Sequence, residues 1–232
     1  MNLLPRNHVL QRALRAVGRP PLIFVLGAQR SGTNVLRQSL SLDPFVRGFN
    51  ERSSNRLYDD WKLRPEREIR NYLRAQPGTV LLKPIRSVID RPVADFLAEF
   101  AKYRYKVAWI YRDPVLVFAS RRRRWPHLGG IAAFTDEWNR VNRSALDARD
   151  HRMAIVSFAD LIADRRVFEG LCRFLDVNGE YLFRADTSRT YDELDDAEVR
   201  EILSATARTR AALDDARAFV PATSPQHLRT SR

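Results

Sequence analysis

Cysteine is nearly absent. Cys172 is the only one in 232 residues, so no disulfide can close within the chain, and a reducing compartment is the simpler expectation. Histidine is scarce too: His8, His127, His151 and His227 stand singly, and no cluster has metal-ligand spacing, so no metal is expected. Long apolar runs are missing. The first, Leu22 to Leu26, is far shorter than the roughly 20 residues of a membrane helix and too short for a signal-peptide core. A soluble, cytoplasmic protein is expected, with peripheral contact to a membrane left open. Acidic residues are outnumbered, 28 against 40 Lys and Arg, for a net charge of +12. That excess favours anionic partners: nucleic acid, an acidic membrane surface or phosphorylated small molecules. Charge alone does not choose among them.

What is present is an alternation of apolar strands and amphipathic helices. With 44% hydrophobic residues the chain can bury one sizeable core. Residues 1–19 are expected to hold an amphipathic helix bearing Val9, Leu10, Leu14 and Val17. Residues 20–218 are expected to form one domain, and 219–232 a disordered basic tail. Strands are predicted at 22–26, 79–83, 106–111 and 153–157, with a short one at 46–49. Helices are predicted after residue 32, after Asp90 as N-cap, from Asp113-Pro114, around 134–148, through Val167 to Leu175, and over 192–214. Strands separated by helices imply an α/β fold: three layers, a parallel sheet with helices on both faces. In such sheets ligands bind beyond the carboxyl ends of the strands.

Gly27-Ala28-Gln29-Arg30-Ser31-Gly32-Thr33-Asn34 follows the first strand and opens a helix. Glycines let backbone N–H groups approach an anion, and a helix N-terminus adds about half a positive charge there. The glycine spacing is that of an ATPase phosphate loop, G-x-x-x-x-G-K-[ST]. Thr33 stands where that loop carries its lysine, however, and Asn34 where it carries its magnesium-binding hydroxyl. Metal-assisted ATP chemistry would lack both groups.

Arg30-Ser31-Gly32-Thr33 resembles the 5′-phosphosulfate loop of the sulfotransferases that use 3′-phosphoadenosine 5′-phosphosulfate (PAPS), although the family usually continues with Thr or Ser where Asn34 stands. A second segment resembles the same family: the strand ending Trp109-Ile110-Tyr111, then Arg112-Asp113-Pro114, then Ser120. The resemblance covers about residues 20–215. It implies a P-loop NTPase-like fold, PAPS as donor, 3′-phosphoadenosine 5′-phosphate (PAP) as product, and no metal. It assigns the 5′-phosphosulfate to Arg30, Ser31, Gly32, Thr33 and Asn34, and the 3′-phosphate to Arg112 and Ser120. Phe158-Ala159-Asp160-Leu161 keeps only Asp160 and Leu161 of the family's Tyr-Glu-Asp-Leu and reads as structural.

Sulfuryl transfer needs a base for the acceptor hydroxyl and positive charge at the leaving phosphate oxygen. Glu51, after the short strand, is the expected base, as in the glycan- and tyrosine-directed branches; the small-molecule branch uses a His, and none here follows an early strand. Arg30 is expected to stabilise the leaving oxygen, joined by Lys83. Lys83 lies directly before Pro84, where the family often shows Lys-x-Pro-Arg, so a plain strand-end lysine is the alternative. The run Arg121 to Arg124 before Trp125 reads as a solvated helix end, a grip on an anionic ligand, or a nucleic-acid contact.

The expected function is sulfuryl transfer from PAPS to a hydroxyl, preferably of a carbohydrate or glycolipid, with no nucleic-acid partner. A nucleotide-dependent phosphotransferase and a non-catalytic basic binding module are the rivals.

Overall fold

The computed structural model describes residues 19–52, 56–127, 129–184 and 194–221. The helix expected within residues 1–19, His8 and His227, and the tail beyond residue 221 lie outside them.

Strand β1 (Leu22–Leu26) is buried along its whole length. Successive side chains on a strand point to opposite faces. Leu22, Phe24 and Leu26 therefore join one apolar cluster, and Ile23 and Val25 another. The same division runs through β5 (Thr79–Lys83), β6 (Tyr105–Tyr111) and β7 (Met153–Ser157). With β2 (Val46–Asn50) they form a five-stranded sheet in the order β2-β5-β1-β6-β7, parallel at every pairing. A short antiparallel hairpin, β3 (Tyr58–Asp59) and β4 (Lys62–Leu63), stands apart from it.

Helices cover both faces. On one lie α1 (Thr33–Ser41), α7 (Phe158–Ala163) and α8 (Arg165–Leu175), which bury Leu36, Leu40, Leu161, Val167 and Leu171. On the other lie α2 (Glu66–Arg74), α3 (Ile85–Asp90), α4 (Val93–Ala98), α5 (Pro114–Arg124), α6 (Ile131–Asp147) and α9 (Asp196–Asp215). That face is aromatic: Phe24 meets Phe96, Phe100 and Tyr105 at ring-centroid distances of 5.3, 5.0 and 5.9 Å. Each such buried ring contributes about 1.5–3 kcal/mol of apolar transfer. Trp109 donates from Nε1 to Asn142 Oδ1 at 3.1 Å, which satisfies the buried indole and ties β6 to α6. The sheet, the helices on both faces and the P-loop-like order agree with the expected fold class.

Three local expectations need correction. Asp90 does not cap the helix of Val93 and Phe96. It ends α3, where its carboxylate takes Lys62 at 2.7 Å and Arg86 at 3.2 Å, and α4 begins after Pro92 without a side-chain cap. Residues 58–74, with no element predicted, form the hairpin and α2. The first residue of the expected tail is packed: the Phe219 ring lies against Phe174, next to Ala218 at the end of the expected domain, whose N donates to Ile155 O at 2.8 Å.

Candidate active site

Parallel pairing sets Leu26 opposite Trp109, so the loops that follow β1 and β6 leave the sheet side by side. The first can turn only because two residues lack a side chain. A Cβ on Gly27 would lie 2.2 Å from Ile110 O, and one on Gly32 would lie 2.3 Å from the Phe158 ring. Gly32 is also left-handed, with φ 99°, at the N-cap of α1. That helix end carries no side-chain cap and no acidic residue in its first turn. Its unsatisfied N–H groups and dipole suit an anion. Ser31 N donates within the loop to Ala28 O at 3.3 Å. Ser31 Oγ is buried and has no hydrogen-bond partner among the described residues. Thr33 is buried, while Asn34 and Arg30 are exposed.

The second loop delivers Arg112, buried at the end of β6, with its guanidinium 4.7 Å from the Phe158 ring centroid. Asp113 is committed elsewhere: its carboxylate accepts from Val115 N at 2.8 Å and Leu116 N at 3.4 Å, capping α5 as its Asp-Pro start predicts. Ser120, in the second turn of α5, faces the first loop. Arg30 Nε donates to Ser120 Oγ at 2.9 Å. The two segments singled out in the sequence, 90 residues apart, thus meet in one hydrogen bond. Their residues fit a ligand with two phosphate groups: an uncapped helix end, a cradle open only to glycine, and two guanidiniums.

Glu51 and Lys83 also come together. Strands β2 and β5 pair with Asn50 opposite Lys83, and the next residue, Glu51, takes Lys83 Nζ on Oε2 at 2.5 Å. Glu51 Oε1 accepts from Ile85 N at 2.9 Å and Arg86 N at 3.4 Å, at the start of α3. The pair is nearly closed to solvent, with 11% of the Glu51 side chain and 7% of the Lys83 side chain exposed. Pro84 turns the chain from β5 into α3, which is what brings these N–H groups over Glu51.

Two neighbours escaped the sequence reading. Tyr58 is fully buried, its hydroxyl accepting from Lys83 N at 3.1 Å, and burial holds its pKa far above the usual tyrosine range. Arg37 reaches the same side from α1, and burial lowers its pKa. No motif marks either; only the packing of the hairpin against β5 reveals them.

Other candidates have partners of their own or face solvent. Arg121 pairs with Glu137 of α6 at 2.5 Å and Arg122 with Glu198 of α9 at 2.7 Å, so half of the arginine run clamps helices together. His127 and His151 are exposed. Asp160 holds Arg217 at 2.8 Å, tying α7 to the segment after α9. Among the described residues no three His, Cys, Asp or Glu side chains gather as a metal site, and no helix is long and apolar enough to cross a membrane.

This fold is that of solved sulfotransferases. A sulfotransferase from Alicyclobacillus acidocaldarius superposes with a TM-score of 0.62 at 18% identity, covering 88% of this chain and 98% of its own. The sulfotransferase domain of the Synechococcus PCC 7002 olefin synthase gives 0.58 at 20% identity, covering 88% and 97%. The sulfotransferase domain from the curacin biosynthetic pathway gives 0.54 at 18%, covering 87% and 99%. No protein-family model and no curated protein matches the sequence.

Proposed function

We propose that the chain transfers a sulfuryl group from PAPS to a hydroxyl of a carbohydrate or glycolipid. The Arg30–Ser120 hydrogen bond carries this reading: it joins the two loops singled out in the sequence, as a doubly phosphorylated nucleoside held between them would require. The sulfotransferase-fold neighbours support sulfuryl transfer in general terms. The phosphotransferase alternative loses ground because Thr33 and Asn34 replace the lysine and hydroxyl that such chemistry uses.

In this reading the first-turn N–H groups of α1, with Arg30, Ser31, Gly32, Thr33 and Asn34, hold the 5′-phosphosulfate. Arg112 and Ser120 hold the 3′-phosphate. A phosphate oxygen is a stronger acceptor for a guanidinium than a hydroxyl is, so it displaces Ser120 from Arg30. Glu51 takes the acceptor proton; a carboxylate oxygen has a second lone pair, so Oε2 can accept it while still bonded to Lys83. The acceptor oxygen forms its bond to sulfur as the bond from sulfur to the 5′-phosphate oxygen breaks. Arg30 and Lys83 stabilise the charge left on that phosphate.

Calorimetry with PAP tests the donor site, and Arg30→Ala is expected to weaken that binding. Transfer from labelled PAPS should fall by at least about a hundredfold in Arg30→Ala and in Glu51→Gln. Glu51→Gln should bind PAP as the parent does. Parent-level transfer by Glu51→Gln would remove Glu51 as the base. No PAP binding, with magnesium-dependent ATP turnover instead, would favour the phosphotransferase.

A further inference from the structure

Beyond α9 the chain crosses the open edge of the main sheet. Arg217 forms a parallel bridge with Ile155 of β7, and Ala218 N donates to Ile155 O at 2.8 Å. An edge strand presents unpaired N–H and C=O groups, so a short length of backbone can dock there. The next residue, Phe219, is left-handed, with φ 59°, a conformation that a bulky side chain keeps only where its surroundings hold it. Its ring fills the space left by Gly170 of α8, 2.9 Å from where a Cβ would stand.

From this position the Arg217 guanidinium reaches helices on both faces of the sheet. Nη1 donates to Asp160 Oδ2 of α7 at 2.8 Å, and Nε donates to Asp214 O of α9 at 3.2 Å. The ion pair is nearly closed to solvent, with 11% of the Arg217 side chain and 13% of the Asp160 side chain exposed. Each of the two acids leads to Arg112. Asp214 Oδ1 accepts from the Tyr111 hydroxyl at 2.6 Å, and Tyr111 is the last residue of β6, directly before Arg112. Asp160 lies in the first turn of α7, two residues after Phe158, whose ring is 4.7 Å from the Arg112 guanidinium. Arg112 is thus supported through its neighbour on one face of the sheet and by a ring on the other. Arg217 bonds to both supports.

We propose that Arg217 is a positioning residue for Arg112: it locks α7 to α9 across the sheet edge and so sets the Arg112 guanidinium for the 3′-phosphate of the donor. The inference rests on reading Arg112 as the 3′-phosphate cation. A planar fork bonds in two directions at once, which an ammonium on a flexible stem does less rigidly. A cation fixed before the ligand arrives spares the ordering cost that would otherwise be taken from affinity. Asp160, read from the sequence as structural, is then one of the two anchors of this clasp.

The test is calorimetry on the full chain with PAP beside adenosine 5′-phosphate, which lacks the 3′-phosphate. The parent should prefer PAP. Arg217→Ala should weaken PAP binding by about tenfold, the scale on which residues without ligand contact tune affinity, and leave adenosine 5′-phosphate binding as it was. Asp160→Asn and Tyr111→Phe each remove one support and should lose part of the same preference; they decide the matter if Arg217→Ala does not fold. In an Arg112→Ala background the Arg217 substitution should change nothing further, because the cation it positions is gone. Equal weakening of both nucleotides would mean a structural role only and overturn the inference. A PAP preference unaltered in Arg217→Ala, or in both single-support variants, overturns it as well. A parent that binds PAP no tighter than adenosine 5′-phosphate is a different failure: it overturns the 3′-phosphate reading of Arg112, and this inference with it.

Discussion

Gly32 has no room for a side chain on two independent counts, its φ of 99° and the Phe158 ring 2.3 Å from where a Cβ would stand. Gly32→Ala is therefore expected to cost about 2–4 kcal/mol, backbone strain adding to overpacking, read as a lower urea midpoint. PAP affinity should fall with it, since the ring that must move is the one beneath Arg112. Such a residue is legible in sequence, because a glycine between a strand and a helix has few other reasons to be there. Glu51 was legible only as a carboxylate in the right loop. Its bond to Lys83 and its two N–H partners depend on β2 and β5 pairing, which residue patterns do not specify.

Helix α5 carries four consecutive arginines, and their environments differ. Arg121 is tied to Glu137 with 12% of its side chain exposed, whereas Arg124 is exposed at the helix end. Arg121→Ala should lower stability by about 1 kcal/mol in chemical denaturation, the scale of a partly buried ion pair. Arg124→Ala should stay within about 0.5 kcal/mol of the parent. PAP binding should survive both; a large loss in Arg124→Ala would restore the ligand-gripping reading of the run. The strands that sequence predicted well, β1, β5, β6 and β7, are mostly apolar and almost wholly buried. The hairpin and α2 went unread because they are short and heavily charged, and Asp90 misled because a cap and an ion-pair partner use the same side chain.

For the molecule as a whole, two polar links that meet at Glu66 contribute to the pH dependence of stability. Tyr103 donates to Glu66 Oε1 at 2.9 Å, and burial, reinforced by that carboxylate, pushes its pKa up to about 12. An unfolded tyrosine ionises near about 10, so this contribution is whole below pH 10 and fades between about 10 and 12. The bonds from Arg70 hold Glu66 below the usual carboxylate range, so its share is present above about pH 4.3 and fades as the pH falls further. Urea midpoints measured from pH 9 to 12 should drop more steeply in the parent than in Tyr103→Phe, which should lose about 1 kcal/mol at neutral pH. Parallel curves would remove Tyr103 from the account.

By itself the sequence determined the layered α/β plan, the excess of positive charge and the two strand-end loops that carry Gly32 and Arg112, because periodicity, glycine placement and strand-end residues are local properties written in consecutive positions. Tertiary structure alone decided that Arg30 reaches Ser120, that Glu51 closes on Lys83, and that Arg217 bridges Asp160 and Asp214. Those contacts join residues brought together by strand order and helix packing. Which partner a cation takes depends on what packing sets beside it.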